Sequence, residues 1–264
     1  MKLGLNYING GYTTVQKNKV FFPSLIFYKK LIPIILNASK KAKKHNYSYE
    51  EWVESSLNVI RSLEESGVEF HIDGIDNINL LQKNPAVVIA NHMSTLETFI
   101  LAGILYPHLR ITFVVKKQLT EIPIFKHIMI STNPIAVTRK NPREDLKMVL
   151  EEGTKRLSDG YSVIIFPQTT RLYEFDVKEF NSIGIKLAKK ANVPIIPLAL
   201  KTDAWQQGKL IKDFGKIDPS KKVYFYFGKP IHIKGLGQEE HKEVIKYITK
   251  HLIKLNVPVK NLNE

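Results

Sequence analysis

From about residue 68 to residue 233 the chain alternates short runs of β-branched and aromatic residues with longer segments of helical spacing, and this alternation most limits its fold. The β-type runs are "VEFHI", "AVVIA", "ITFVVK", "IAVT", "SVIIF", "PIIPLAL" and "KVYFYFGKPIHI". Helical candidates lie between and after them at Thr95–Leu105, Pro123–Ile130, Pro142–Leu157, Glu179–Ala191 and Glu239–Leu255. Strands alternating with helices predict an α/β domain with a mixed, largely parallel sheet flanked by helices. In such sheets ligand sites gather beyond the carboxyl ends of the strands, where loops meet helix N-termini.

Ahead of this domain the pattern differs. Val20–Leu36, "VFFPSLIFYKKLIPIIL", is too apolar for an ordinary surface helix, yet Pro23, Lys29, Lys30 and Pro33 interrupt it. It also falls short of the ~20 apolar residues that span a bilayer. A core helix and a segment lying in a membrane interface both fit. The basic stretch "KKAKKHN" (Lys40–Asn46) follows, then a helix over Ser48–Glu65 with Trp52, Val59, Ile60 and Leu63 on one face, stopped by Gly67. Residues 1–66 therefore read as a helical N-terminal part and 67–264 as the α/β domain.

A net charge of +14 points to an anionic partner: lipid headgroups, phosphorylated substrates, an acidic carrier protein or nucleic acid. No nucleic-acid-binding signature accompanies the scattered basic residues, so nucleic acid is not an expected partner. The absence of cysteine rules out thiol catalysis and cysteine metal sites and agrees with a cytoplasmic setting; no metal site is expected.

Three polar clusters fall at predicted strand ends: Asn91-His92 after "AVVIA", Arg139 after "IAVT", and Pro167–Arg171 after "SVIIF". In "ANHMSTLETF" a histidine precedes Glu97 by five residues, while Ser94 and Glu97 also make the S-x-x-E box that caps helix starts. The residues alone fit a plain helix start first, and a base with its orienting carboxylate second. Arg139 in a turn beside Asn141-Pro142, and Arg171 paired with Glu174 or Asp176, are the corresponding plain readings of the arginines.

Taken together, these blocks resemble the glycerolipid acyltransferases. The family's N-H-x4-D is matched by Asn91-His92 with Glu97 in the aspartate position, and its strand-closing arginine by "NPIAVTR" ending at Arg139. Its F-P-E-G-T-R is matched by Phe166-Pro167-Gln168-Thr169-Thr170-Arg171, and its V-P-I-I-P-V by Val193–Leu198. "VKKQLTEIP" approximates a further family block, with Lys116 at its phosphate-binding lysine. Gln168 and Thr169 depart from the family's glutamate and glycine and imply either a modified substrate preference or a catalytically weak homologue.

The resemblance implies acyl transfer to a lysophospholipid such as 1-acylglycerol-3-phosphate, with glycerol 3-phosphate or another hydroxyl lipid such as an aminolipid as further acceptors. A non-catalytic lipid or acyl-carrier binding protein of the same fold is the remaining alternative. His92 would be the base and Glu97 its orienting acid, His92 standing before the helix because residues five apart on one helix point away from each other. Lys116, Arg139, Gln168, Thr169, Thr170 and Arg171 would bind substrate. No cofactor is implied beyond acyl-CoA or acyl-acyl carrier protein as co-substrate. A bilayer-borne acceptor also turns Val20–Leu36 into a membrane-docking segment, for peripheral, monotopic attachment to an anionic membrane surface on its cytoplasmic side.

Overall fold

The computed structural model describes residues 3–14, 20–168, 170–208 and 211–262. Among these, ten strands are β1 (Tyr12–Thr13), β2 (Phe70–Asp73), β3 (Val87–Ala90), β4 (Ile111–Lys116), β5 (Ile135–Val137), β6 (Ser162–Ile165), β7 (Phe175–Asp176), β8 (Ile195–Lys201), β9 (Val223–Phe227) and β10 (Val259–Lys260). The α-helices among the same residues are α1 (Pro23–Lys43), α2 (Tyr49–Glu65), α3 (Leu96–Leu105), α4 (Lys126–Ser131), α5 (Pro142–Ser158), α6 (Ile183–Ala191) and α7 (Gln238–Lys254). Eight strands form one sheet in the order β1-β2-β9-β8-β3-β6-β4-β5, and β10 pairs with β7 apart from it.

The expected sheet is present. β8, β3, β6, β4 and β5 run parallel to one another, whereas β8 and β9 pair antiparallel, as do β1 and β2. Central strands β3 and β6 are buried at every residue, which explains why "VVIA" and "SVII" read as unbroken apolar runs rather than alternating ones. Because five adjacent strands share a direction, the segments after Ala90, Lys116, Val137, Ile165 and Lys201 all emerge on one edge of the sheet.

Local chemistry explains the helices. Ser48 caps α2 by accepting from the Glu51 amide, and Asn141 caps α5 by accepting from Arg143 and Glu144, with Pro142 in the first turn. α1 starts at Pro23 and continues through Pro33, so the segment expected to be interrupted by prolines is a single helix. Its Phe27 and Leu31 are fully buried, and the Phe27 ring packs edge-on against Trp205 with centroids 4.8 Å apart. The N-terminal part also contributes a strand that no apolar run announces, β1, held at the sheet edge by β2. α4 starts at Lys126 rather than Pro123 and α6 at Ile183 rather than Glu179, while Ile75–Leu81 and Lys117–Thr120 form 3-10 turns.

One side chain extends the ladder where the site begins. Just past β3, the buried Asn91 imitates a strand backbone: its Nδ2 donates to the Leu200 carbonyl (2.8 Å) and its Oδ1 accepts from the Leu200 amide (2.9 Å). Asn91→Ala therefore strands two buried backbone groups of β8. We expect a loss of about 3 kcal/mol and a Tm lower by roughly 6–12 °C, measured by thermal unfolding.

Candidate active site

His92 lies in the turn between β3 and α3, and that turn is organised by one carboxylate. Glu97 is fully buried in the first turn of α3. Its Oε1 accepts from His92 Nδ1 (2.9 Å), the Met93 amide (2.7 Å) and the Ser94 amide (2.9 Å). Its Oε2 accepts from the Thr202 hydroxyl (2.6 Å), with Ser94 Oγ 3.0 Å away. The helix N-terminus adds a favourable dipole for this charge.

The cap and the orienting role therefore coexist on one oxygen. The box is nonetheless incomplete as a cap: Ser94 Oγ accepts from the Leu96 amide (3.1 Å) two residues on, and α3 starts at Leu96. Burial alone would raise the Glu97 pKa, but hydrogen bonding and charge from His92, with further bonds from Thr202 and Ser94, outweigh it and leave the group below its ordinary value of 4.5. As an ionised carboxylate can only accept, the neutral His92 ring carries its proton on Nδ1 and presents a bare Nε2. The ring stacks on Phe166, centroids 4.2 Å apart at 15°.

The "FPQTTR" loop after β6 locks onto the same turn. Buried Gln168 accepts from the His92 amide through Oε1 (2.9 Å), and the Leu172 amide donates to the His92 carbonyl (3.0 Å), joining the two loops through their backbones. Gln168 thus serves the His92 backbone as a neutral acceptor, while its Nε2 has no hydrogen-bond partner among the described residues. Thr170 is exposed, and Thr169 lies outside the described residues. The Arg171 guanidinium donates to the Thr95 hydroxyl and pairs with Asp213 (2.5 Å). Its partner is therefore not Glu174, which pairs with Lys260, nor Asp176, which bonds Asn261.

Arg139 follows β5 in a left-handed conformation (φ 61°), an uncommon one for arginine. Asp145 of α5 holds it there, accepting from the Thr138 amide (2.8 Å), the Thr138 hydroxyl (3.1 Å) and the Arg139 amide (2.7 Å). Partial burial and the nearby positive charge of Arg171 lower the Arg139 pKa, with Asp145 opposing them. Lys116 ends β4 in register with Val137, two residues before Arg139.

The sequence pattern names Phe166 only as the start of its block and does not announce its stacking on His92, Asn91's bridge, or the parts played by Thr202, Asp145 and Asp213. Thr202 carries the clearest signal of the five, since it directly follows an apolar strand whose neighbour in the sheet leads to His92. Among the described residues, no group of three or more His, Asp or Glu side chains is placed to hold a metal ion.

Glu97→Gln would lose the ionised acceptor at the centre of this cluster and cost about 2–4 kcal/mol near neutral pH. With its folded pKa depressed, the carboxylate's stabilisation is fully present above the ordinary 4.5 and is lost as pH falls through the lower folded value. Denaturant titrations should accordingly show the gap between wild type and variant narrowing as pH falls below 4.5.

A sequence model described as acyltransferase matches residues 69–201. A Pseudomonas aeruginosa protein named 1-acyl-sn-glycerol-3-phosphate acyltransferase is 30% identical over 156 residues, 59% of this chain and 58% of that one. A Mycoplasma genitalium protein named as a probable enzyme of the same kind is 30% identical over 150 residues, 56% of this chain and 52% of its own. The chain thus spans little more than half the length of these relatives. The crystal structure of the 1-acyl-sn-glycerophosphate (LPA) acyltransferase PlsC from Thermotoga maritima superposes with a TM-score of 0.63 at 20% identity, covering 89% of this chain and 95% of that one, and shares the fold. With the match running from β2 through β8 and enclosing His92, Glu97, Arg139 and Arg171, the chain belongs to the acyltransferase family.

Proposed function

We propose that the protein moves a fatty acyl group from a thioester donor, acyl-CoA or acyl-acyl carrier protein, to the hydroxyl of a lysophospholipid, with 1-acylglycerol-3-phosphate as the acceptor that suits the site best. The observation that carries this reading is the His92–Glu97 pair at a sheet edge shared with Arg139 and Arg171. The names of the relatives support the same reaction class and acceptor.

In this reaction His92 Nε2 takes the proton of the acceptor hydroxyl as its oxygen attacks the thioester carbonyl carbon. The new C–O bond forms, the C–S bond breaks, and the imidazolium returns the proton to the leaving thiolate. Glu97 holds the ring and stabilises its transient charge. Arg139, Arg171 and Lys116 supply donors and positive charge for the acceptor's phosphate.

A membrane-borne acceptor calls for a docking surface, and α1 supports one. Leu25, Lys29, Ile32, Leu36, Lys40 and Lys43 follow one another at helical spacing and are exposed, opposite the buried face of Phe27, Leu31, Ile35 and Ala38. Phe21 and Phe22 extend this apolar stripe at its N-terminal end. Apolar side chains flanked by lysines suit the boundary between acyl chains and anionic headgroups. No helix among the described residues is long and apolar enough to cross a membrane. Peripheral attachment on the cytoplasmic side, where both donors occur, fits these features.

Purified protein should acylate lysophosphatidate, and His92→Ala should lower the rate by about 10²–10⁴-fold without unfolding the protein. Transfer to neither lysophosphatidate nor glycerol 3-phosphate, with either donor, would overturn the substrate assignment. In flotation assays, Leu25→Glu/Ile32→Glu/Leu36→Glu should reduce binding to anionic vesicles by about 10²-fold, and unchanged binding would exclude α1 as the docking element.

A further inference from the structure

The pairing of Arg171 with Asp213 goes beyond that reaction scheme. The Arg171 guanidinium reaches into the turn that carries His92, because it also donates to the Thr95 hydroxyl and the next residue's amide binds the His92 carbonyl. Asp213 arrives from a separate segment after β8. Beyond Asp213 that segment is fastened to α1: Tyr28 donates to the Gly215 carbonyl (2.5 Å), the Ile217 amide donates to Ser24 Oγ (3.0 Å), and Phe214 packs beside Tyr28.

Arg171 has supports besides this carboxylate. Thr95 holds its side chain, and Gln207 Nε2 donates to its carbonyl (3.1 Å). The Asp213 side chain keeps 40% of its surface exposed, so an incoming anion can replace it without opening the core. A 3.2 Å bond from the Thr95 hydroxyl also holds the carboxylate at the guanidinium.

We infer that Asp213 is a specificity-determining residue: its carboxylate competes with the acceptor for Arg171 and selects phosphate monoesters over phosphate diesters. This rests on the proposed acyl-transfer function. A phosphate monoester carries about −1.5 to −2 charges near pH 7 and displaces a single carboxylate charge. A phosphodiester carries one charge and has fewer unsubstituted oxygens for the guanidinium fork, so it gains little by the exchange.

The test compares lysophosphatidate with lysophosphatidylglycerol as acceptors for wild type, Asp213→Asn and Asp213→Glu. Asp213→Asn should lower KM for both, more for the diester, so that the preference in kcat/KM for the monoester falls about fivefold, while kcat with lysophosphatidate stays within about twofold. Asp213→Glu, which keeps the charge, should retain the wild-type preference. A raised KM in Asp213→Asn would show that the aspartate positions Arg171, and an unchanged preference would show that it does not compete; either result overturns the inference. Calorimetric binding of glycerol 3-phosphate and glycerophosphoglycerol separates the two readings. If wild type transfers no acyl group, the acyl-transfer assignment fails by itself, and the inference stands or falls on whether Asp213→Asn tightens binding and narrows the difference between these two ligands.

Discussion

The site depends on one buried charge. Glu97 has no exposed surface, and such a carboxylate is tolerable only when its lone pairs are filled by donors already in place. His92, Met93, Ser94 and Thr202 provide those donors, and each therefore takes a fixed position relative to the others. The requirement to satisfy the charge is what shapes the turn. The same bonds leave the histidine with one committed nitrogen and one bare one, so the condition for burying Glu97 and the condition for a usable base are met together.

Around this centre the protein separates its charges by their supports. Asp145 acts on backbone, fixing the left-handed turn at Arg139, whereas Asp213 acts on the Arg171 side chain itself. The first keeps an arginine presented at the sheet edge; the second occupies an arginine until a stronger anion arrives. Both arginines stand beyond strands that share a direction with β3, so parallel pairing alone brings them to the histidine's edge. The segment bearing Asp213 also touches α1, through Tyr28 and Ser24.

Much of this is legible in the sequence because the relevant signals are local. Apolar runs mark β2 through β6, β8 and β9, and the strand-end rule locates His92, Arg139 and Arg171. What is not legible depends on partners distant in the chain. Thr202 lies 105 residues from Glu97, and nothing near either residue announces their hydrogen bond. Asp213 stands in a polar segment with no periodicity, and its meaning comes only from Arg171. β1 has two residues and owes its existence to β2 rather than to its own composition. Pro33 misleads in the opposite direction: tertiary packing of Phe27, Leu31 and Ile35 sustains α1 across a residue that local propensity would use to end it.

The central claim is that Glu97 fixes His92 with its proton on Nδ1 and leaves Nε2 bare to act as the base. Nitrogen-15 NMR of the histidine side chains, recorded where the His92 ring is neutral and assigned with His92→Ala, measures this tautomer directly. The account predicts a protonated Nδ1 and an unprotonated Nε2, with the Nδ1 signature lost or weakened in Glu97→Gln. A neutral His92 protonated on Nε2 in the wild-type protein would contradict it.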